Sequence, residues 1–223
     1  MTRQITMNKV FFKTFILSMI SAILILSGAV ISFADSPDFN ELKKQNPDIY
    51  AWLYIPGTNI NYPVCQSKDD AYYLSHGSDR KINSNGALFT ENAYNGKGFT
   101  DPVTVIYGHN MRSGKMFGFL EETFKKGLNG HDTAIIYMPG NIYKYRLFAA
   151  LPIASKHLLH KKNYYNTEEY RKFIDGIVNA RTFEAIRDMN FKPGKNGKLL
   201  VLSTCRGGGK TDERYIVVGE LIK

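Results

Sequence analysis

The chain is 223 residues long and carries 29 Lys and Arg against 20 Asp and Glu, a formal charge of +9. Hydrophobic residues at 43% and charged residues at 22% are globular values and exclude a disordered, collagenous or coiled-coil chain. Two cysteines exclude a disulfide-built scaffold, and the absence of any fixed-period repeat excludes a solenoid or propeller.

The first 34 residues stand apart from the rest. Arg3, Lys9 and Lys13 are their only charges, and the 21 residues from Thr14 to Ala34 are uncharged and rich in Ile, Leu, Phe, Val and Ala. At about 1.5 Å per residue a helix of that length spans roughly 30 Å, the hydrocarbon thickness of a bilayer. Residues 1–34 are therefore expected to be a cytoplasmic basic tip followed by a transmembrane signal-anchor through residues 14–34, with residues 35–223 outside the cell in a single-pass arrangement. Ser32-Phe33-Ala34 offers the competing reading of a cleaved signal peptide, but the apolar run exceeds the 7–15 residues of a signal-peptide core. Without Arg3, Lys9 and Lys13 the remainder holds 26 basic and 20 acidic side chains, a net +6. Short pairs such as Lys125-Lys126 and Lys161-Lys162 make no basic helix or aromatic-interleaved stripe, so no nucleic-acid partner is expected.

Residues Pro37 to Gln45 read as a short helix, opened by Ser36 as N-cap and Pro37 at the first position. Short apolar runs bounded by Gly, Pro, Asn or Asp then predict strands over 49–55, 60–65, 86–90, 103–107, 134–138, 143–150, 199–204 and 215–221. Pro139-Gly140-Asn141 marks a hairpin between two of them. One helix is well signalled: Asn166 and Glu169 suit a capped start, and Tyr170, Phe173, Ile174, Ile177 and Val178 fall on one stripe at helical spacing. The fold class is thus mostly β with helical insertions, as a closed β-barrel with an N-terminal helix and a helix between two late strands. No linker divides 35–223.

Cys205 ends an apolar strand and faces the Gly-rich stretch Arg206-Gly207-Gly208-Gly209. His109 ends the run Val103 to Gly108, and Arg214 opens the last strand nine residues beyond Cys205. If the last two runs pair across a tight loop, Cys205 and Arg214 face each other. A thiol, an imidazole and a guanidinium suit acyl transfer: a nucleophile, a proton shuttle and a fixed charge for an oxyanion. Thr90, Ser203 and Thr204 are expected along the substrate groove, and Arg206 is expected to point into solvent. Cys65 reads as a small core hydrophobe. His76, His131, His157 and His160 read as surface or structural residues. His157 and His160 have no Cys, Asp or Glu beside them to complete a ligand set, and Arg206 to Lys210 opens no helix that would cradle a phosphate, so neither metal nor cofactor is expected.

Leu202-Ser203-Thr204-Cys205 resembles the Leu-x-Thr-Cys signature of sortases, the membrane-anchored transpeptidases of Gram-positive bacteria. Tyr107-Gly108-His109-Asn110-Met111 resembles their histidine motif, Arg214 falls where their arginine is expected, and Trp52 to Val64 with Gln66 to Leu74 is similar to the opening strands of class B members. The resemblance implies a sortase-like barrel and catalysis by Cys205, His109 and Arg214. Cys205 would form a thioester with the threonine carbonyl of a C-terminal sorting motif on a secreted protein, and a peptidoglycan amine would receive the acyl group. Many class B members carry an acid two places after the cysteine, where this chain has Gly207, so no fourth catalytic residue is assigned. An L,D-transpeptidase or cysteine peptidase, and a non-catalytic wall-binding module, remain the alternative readings.

Overall fold

Runs of β-branched and aromatic residues, cut at short intervals by Gly, Pro and Asn, favour many short strands over long helices. The computed structural model describes residues 36–128, 130–154, 157–207 and 212–223. Its strands are β1 (Ile49–Tyr54), β2 (Asn61–Cys65), β3 (Leu88–Phe89), β4 (Val103–Tyr107), β5 (Thr133–Met138), β6 (Asn141–Ala154), β7 (Ile186–Arg187), β8 (Leu199–Cys205) and β9 (Glu213–Leu221), and its helices are α1 (Phe39–Gln45), α2 (Leu120–Phe124) and α3 (Thr167–Val178). Hydrogen-bonded neighbours run β5-β1-β2-β3-β4-β8-β9-β6, and β6 pairs back to β5. Eight strands thus close into a barrel, with β7 added at the edge of β6. Closure leaves the eight strands without an open edge.

Period-two alternation divides each strand between two apolar layers. Leu53, Val64, Leu88, Ile106, Ile136, Leu147, Leu200, Leu202, Tyr215 and Val217 form a cluster drawn from all eight ring strands, the barrel interior. Val103, Val105, Leu199, Val201, Ile216 and Val218 face outward and pack with Tyr170, Ile174 and Ile177 of α3. The helical stripe read from the sequence is therefore the face that covers the barrel wall. Asn166 caps α3 by accepting from the backbone N–H groups of Glu168 and Glu169. Residues Pro37–Lys223 form one compact unit.

Several boundaries differ from the sequence reading. Asp38, not Ser36, caps α1, accepting from Asn40 N at 2.9 Å and Glu41 N at 3.2 Å; a carboxylate in that position also meets the positive end of the helix. The hairpin turn is confined to Pro139 and Gly140, with Met138 opposite Asn141 and Gly140 at φ +76°. β6 runs on to Ala154 because β9 pairs along nearly its whole length. The expected tip and anchor, residues 1–34, lie outside the described residues. Among the described residues no helix is long and apolar enough to cross a membrane.

Candidate active site

β4 and β8 are parallel neighbours, with Tyr107 opposite Ser203. Two residues further along each strand, His109 and Cys205 therefore come to the same end of the barrel wall. β8 and β9 are antiparallel, and their register places Cys205 directly opposite Arg214. An Arg214 Nη1 lies 3.9 Å from Cys205 Sγ. The Asn110 side chain donates to the Cys205 carbonyl at 2.8 Å, which ties the two strand ends together beyond the last ladder pair.

Alternation decides which neighbours reach this surface. Cys205, Ser203, Tyr107 and Arg214 share the outward parity of Val201, Val105 and Ile216. They line a cavity of about 450 Å³ together with His109, Glu91, Asp70, Leu158 and His157. Thr204 points the other way, is buried, and donates to the Gly108 carbonyl at 2.7 Å. Thr90 likewise turns inward, 2.8 Å from the Tyr50 hydroxyl and 3.0 Å from Gln66 Nε2. Of the three residues expected along the groove, the structure brings only Ser203 to the cavity; Thr90 and Thr204 are core hydrogen-bonding groups.

His109 is held along one edge of its ring. Its Nε2 lies 2.7 Å from the Leu74 carbonyl oxygen. A carbonyl only accepts, so Nε2 carries the hydrogen and the neutral ring keeps its lone pair at Nδ1. Behind the ring, Gly86 has φ +59°, and a Cβ there would meet the Tyr73 carbonyl oxygen at 2.4 Å and His109 Cδ2 at 3.0 Å. Only glycine allows the 3₁₀ turn at Tyr72–Leu74 to approach the histidine so closely. The Arg214 guanidinium sits 5.9 Å from the centroid of the Tyr107 ring, and that ring stacks on Phe89. Burial, with the Glu91 carboxylate beside it, raises the Tyr107 phenol above its ordinary pKa.

Arg206 does not point into solvent. Only 19% of its side chain is exposed, and it donates to Glu121 at 2.9 Å, to Glu213 at 3.1 Å and to Glu184. Three carboxylates from separated parts of the chain meet one guanidinium, an arrangement with no local sequence signature. Cys65 is fully buried, and burial pushes its thiol up to about 12; both cysteines are free. Glu91 and His157 were not singled out in the sequence as groove residues. They stand 66 positions apart, and their 2.9 Å contact depends on tertiary folding. Among the described residues no cluster of His, Cys, Asp and Glu has the makings of a metal site.

A sequence model of the sortase domain matches residues 53–222. The chain is 28% identical to sortase B of Staphylococcus aureus over 195 residues, covering 84% of this chain and 75% of that protein. It is also 28% identical to sortase B of Listeria monocytogenes over 187 residues, covering 83% and 74%. The X-ray structure of Clostridium perfringens sortase B superposes with a TM-score of 0.72 at 28% identity, over 83% of this chain and 100% of that one. The complex of Staphylococcus aureus sortase B with substrate gives 0.72 at 26% identity, over 83% and 84%. A family match across most of the barrel, joined to the same barrel in solved relatives, makes this chain a member of the sortase family, of class B, and so a cysteine transpeptidase.

Proposed function

We propose that the protein cleaves a C-terminal sorting motif of secreted proteins after threonine and transfers the acyl group to a peptidoglycan amine. His109 takes the Cys205 thiol proton at Nδ1 as the sulfur attacks the threonine carbonyl carbon, and the Arg214 guanidinium receives the oxyanion. The tetrahedral species collapses to a thioester as the C–N bond breaks, and His109 protonates the departing amine. The incoming amine then attacks the thioester, loses its proton to His109 and releases the Cys205 sulfur. The Leu74 carbonyl orients the imidazole, a part that a carboxylate takes in other triads. Residues 14–34 hold the enzyme in the cell membrane with the basic tip inside and the catalytic domain outside, an arrangement supported by the charge asymmetry of the sequence.

The observation that carries this reading is the pairing of Cys205 with Arg214 across β8 and β9, with His109 lining the same cavity. The test is incubation of the full chain with sorting-motif peptides and an amine acceptor, followed by mass spectrometry. Ligated product is expected, together with an acyl-enzyme on Cys205 that retains the peptide through threonine. Cys205→Ala should abolish both and leave circular dichroism unchanged, whereas Cys65→Ala should retain activity. Hydrolysis without ligation would identify a peptidase instead. A Cys205 that no thiol probe labels would support a non-catalytic module.

A further inference from the structure

The carbonyl that holds His109 belongs to Leu74, and the residue before it, Tyr73, is the buried member of the 3₁₀ turn Tyr72–Leu74. The Tyr73 ring packs in the outer apolar layer with Cys65 and Ala87. Its hydroxyl reaches a polar group at the junction of α1 and β1, donating to Asp48 Oδ2 at 2.8 Å and accepting from Asn46 Nδ2 at 2.8 Å. Asn46 is fully buried and closes α1, its backbone N–H donating to the Leu42 carbonyl. The same Nδ2 also donates to the Ser78 carbonyl at 2.9 Å, and Oδ1 accepts from Asp48 N at 2.9 Å. Both side chains thus have all their polar atoms engaged. A buried network in that condition rigidifies what it joins, and removing one member strands the others. Backbone bonds tie the turn to residues 83–87, with Asn83 N on the Ser75 carbonyl and Ala87 N on the Tyr73 carbonyl. The Tyr73 hydroxyl adds the tie to the start of the barrel.

We propose that Tyr73 and Asn46 are positioning residues: through the Leu74 carbonyl they fix His109 in the tautomer that leaves Nδ1 free for the Cys205 proton. The inference rests on the transpeptidase reading and deepens it by naming what orients the proton shuttle. Without the hydroxyl, Asn46 Nδ2 and Asp48 Oδ2 each lose a partner, and the turn is released from the α1–β1 junction. The Leu74 oxygen then no longer holds Nε2. A neutral imidazole so released divides between its two tautomers, and the form with hydrogen on Nδ1 has no lone pair there for the thiol proton.

The test is Tyr73→Phe in the full-length enzyme, a change that removes one oxygen and keeps the ring. In nitrogen NMR of the histidine-labelled protein, the His109 signals are those that His109→Ala lacks, and their shifts report which ring nitrogen carries the hydrogen. With the ring neutral, wild type should show hydrogen on Nε2 alone, and Tyr73→Phe should show both forms. A misplacement of about 1 Å can cost about 10²-fold, so kcat for one sorting peptide should fall about 10-fold or more. KM should stay at its wild-type value. Ile177→Val trims the apolar layer under α3, touches none of these groups and controls for lost stability; both readouts should match wild type. Asp48→Ala removes the acceptor of the hydroxyl at a half-buried position, should give the same signature as Tyr73→Phe, and serves if that variant fails to fold. A single Nε2–H form with unchanged kcat in the variants overturns the inference. So does a loss confined to KM, or an equal change in Ile177→Val. No turnover of any peptide by wild type overturns the transpeptidase reading, and the ring-nitrogen shifts still decide by themselves whether Tyr73 sets the tautomer.

Discussion

Arg206 and Arg214 lie on either side of the same loop and carry the same charge, yet their surroundings give them different work. Arg214 has no carboxylate partner among the described residues; its fork lies against Cys205 Sγ and the Tyr107 ring. A planar guanidinium offers several fixed donors to an oxyanion and the neighbouring carbonyls, whereas an ammonium is a single mobile point charge. Arg214→Lys should therefore stay folded and lose about 10²–10³-fold in turnover, the usual consequence of removing one oxyanion donor. Steady-state turnover of one sorting peptide, with circular dichroism as the folding control, checks this. A near wild-type rate for the lysine variant would remove Arg214 from the chemistry.

At the scale of elements, the barrel end that carries Cys205 is held by polar ties between pieces far apart in sequence. Asn110 fastens the end of β4 to the end of β8. Arg206 fastens the same end of β8 to Glu121 in α2, to Glu184 ahead of β7 and to Glu213 at the start of β9. Glu184 and Glu213 are half exposed, so water screens part of their attraction. Arg206→Ala should cost about 1–2 kcal/mol and lower the melting temperature by roughly 2–8 °C. It should also lower transpeptidation, because Cys205 sits one residue away on the strand that is loosened. Melting and turnover measured on the same sample decide the matter; an unchanged melting temperature would show that the three carboxylates contribute nothing net.

At the scale of the whole molecule, the two apolar layers bury an unusual set of phenols together with a thiol. Burial raises the pKa of Tyr50, Tyr73, Tyr107, Tyr145, Tyr170 and Tyr215, and pushes Tyr164 and Cys65 up to about 12. Each group is neutral in the fold but ionises near 9 to 10 once unfolded. Above that range the unfolded chain has released protons that the folded one still holds, so stability falls as pH rises towards 12. Chemical denaturation should show a level stability through about pH 8 and a steep loss between about pH 10 and 12. Stability unchanged to about pH 11 would mean that these groups ionise within the intact fold.

The sequence by itself determined the eight strands of the ring, α1 and α3, and the inner face of α3, but neither α2 nor β7; it also marked the local motifs around Cys205 and His109. Those features are local: alternation of two in strands, a repeat of 3.6 in α3, and short motifs around Cys205 and His109. Nothing local says which parity of a strand faces inward. Thr90 and Thr204 were therefore expected in the groove, although barrel closure turns both into the core beside Tyr50 and Gly108. The neighbour Ser203, one residue away and of opposite parity, reaches the cavity instead. Arg206 looked solvated because two of its three carboxylates, Glu121 and Glu184, come from distant segments, and Glu91 meets His157 only after β3 and the connection from β6 to α3 have come together. Periodicity fixes what a segment is; closure of the ring and the register of β4, β8 and β9 decide which side chains meet, and so what the site can recognise.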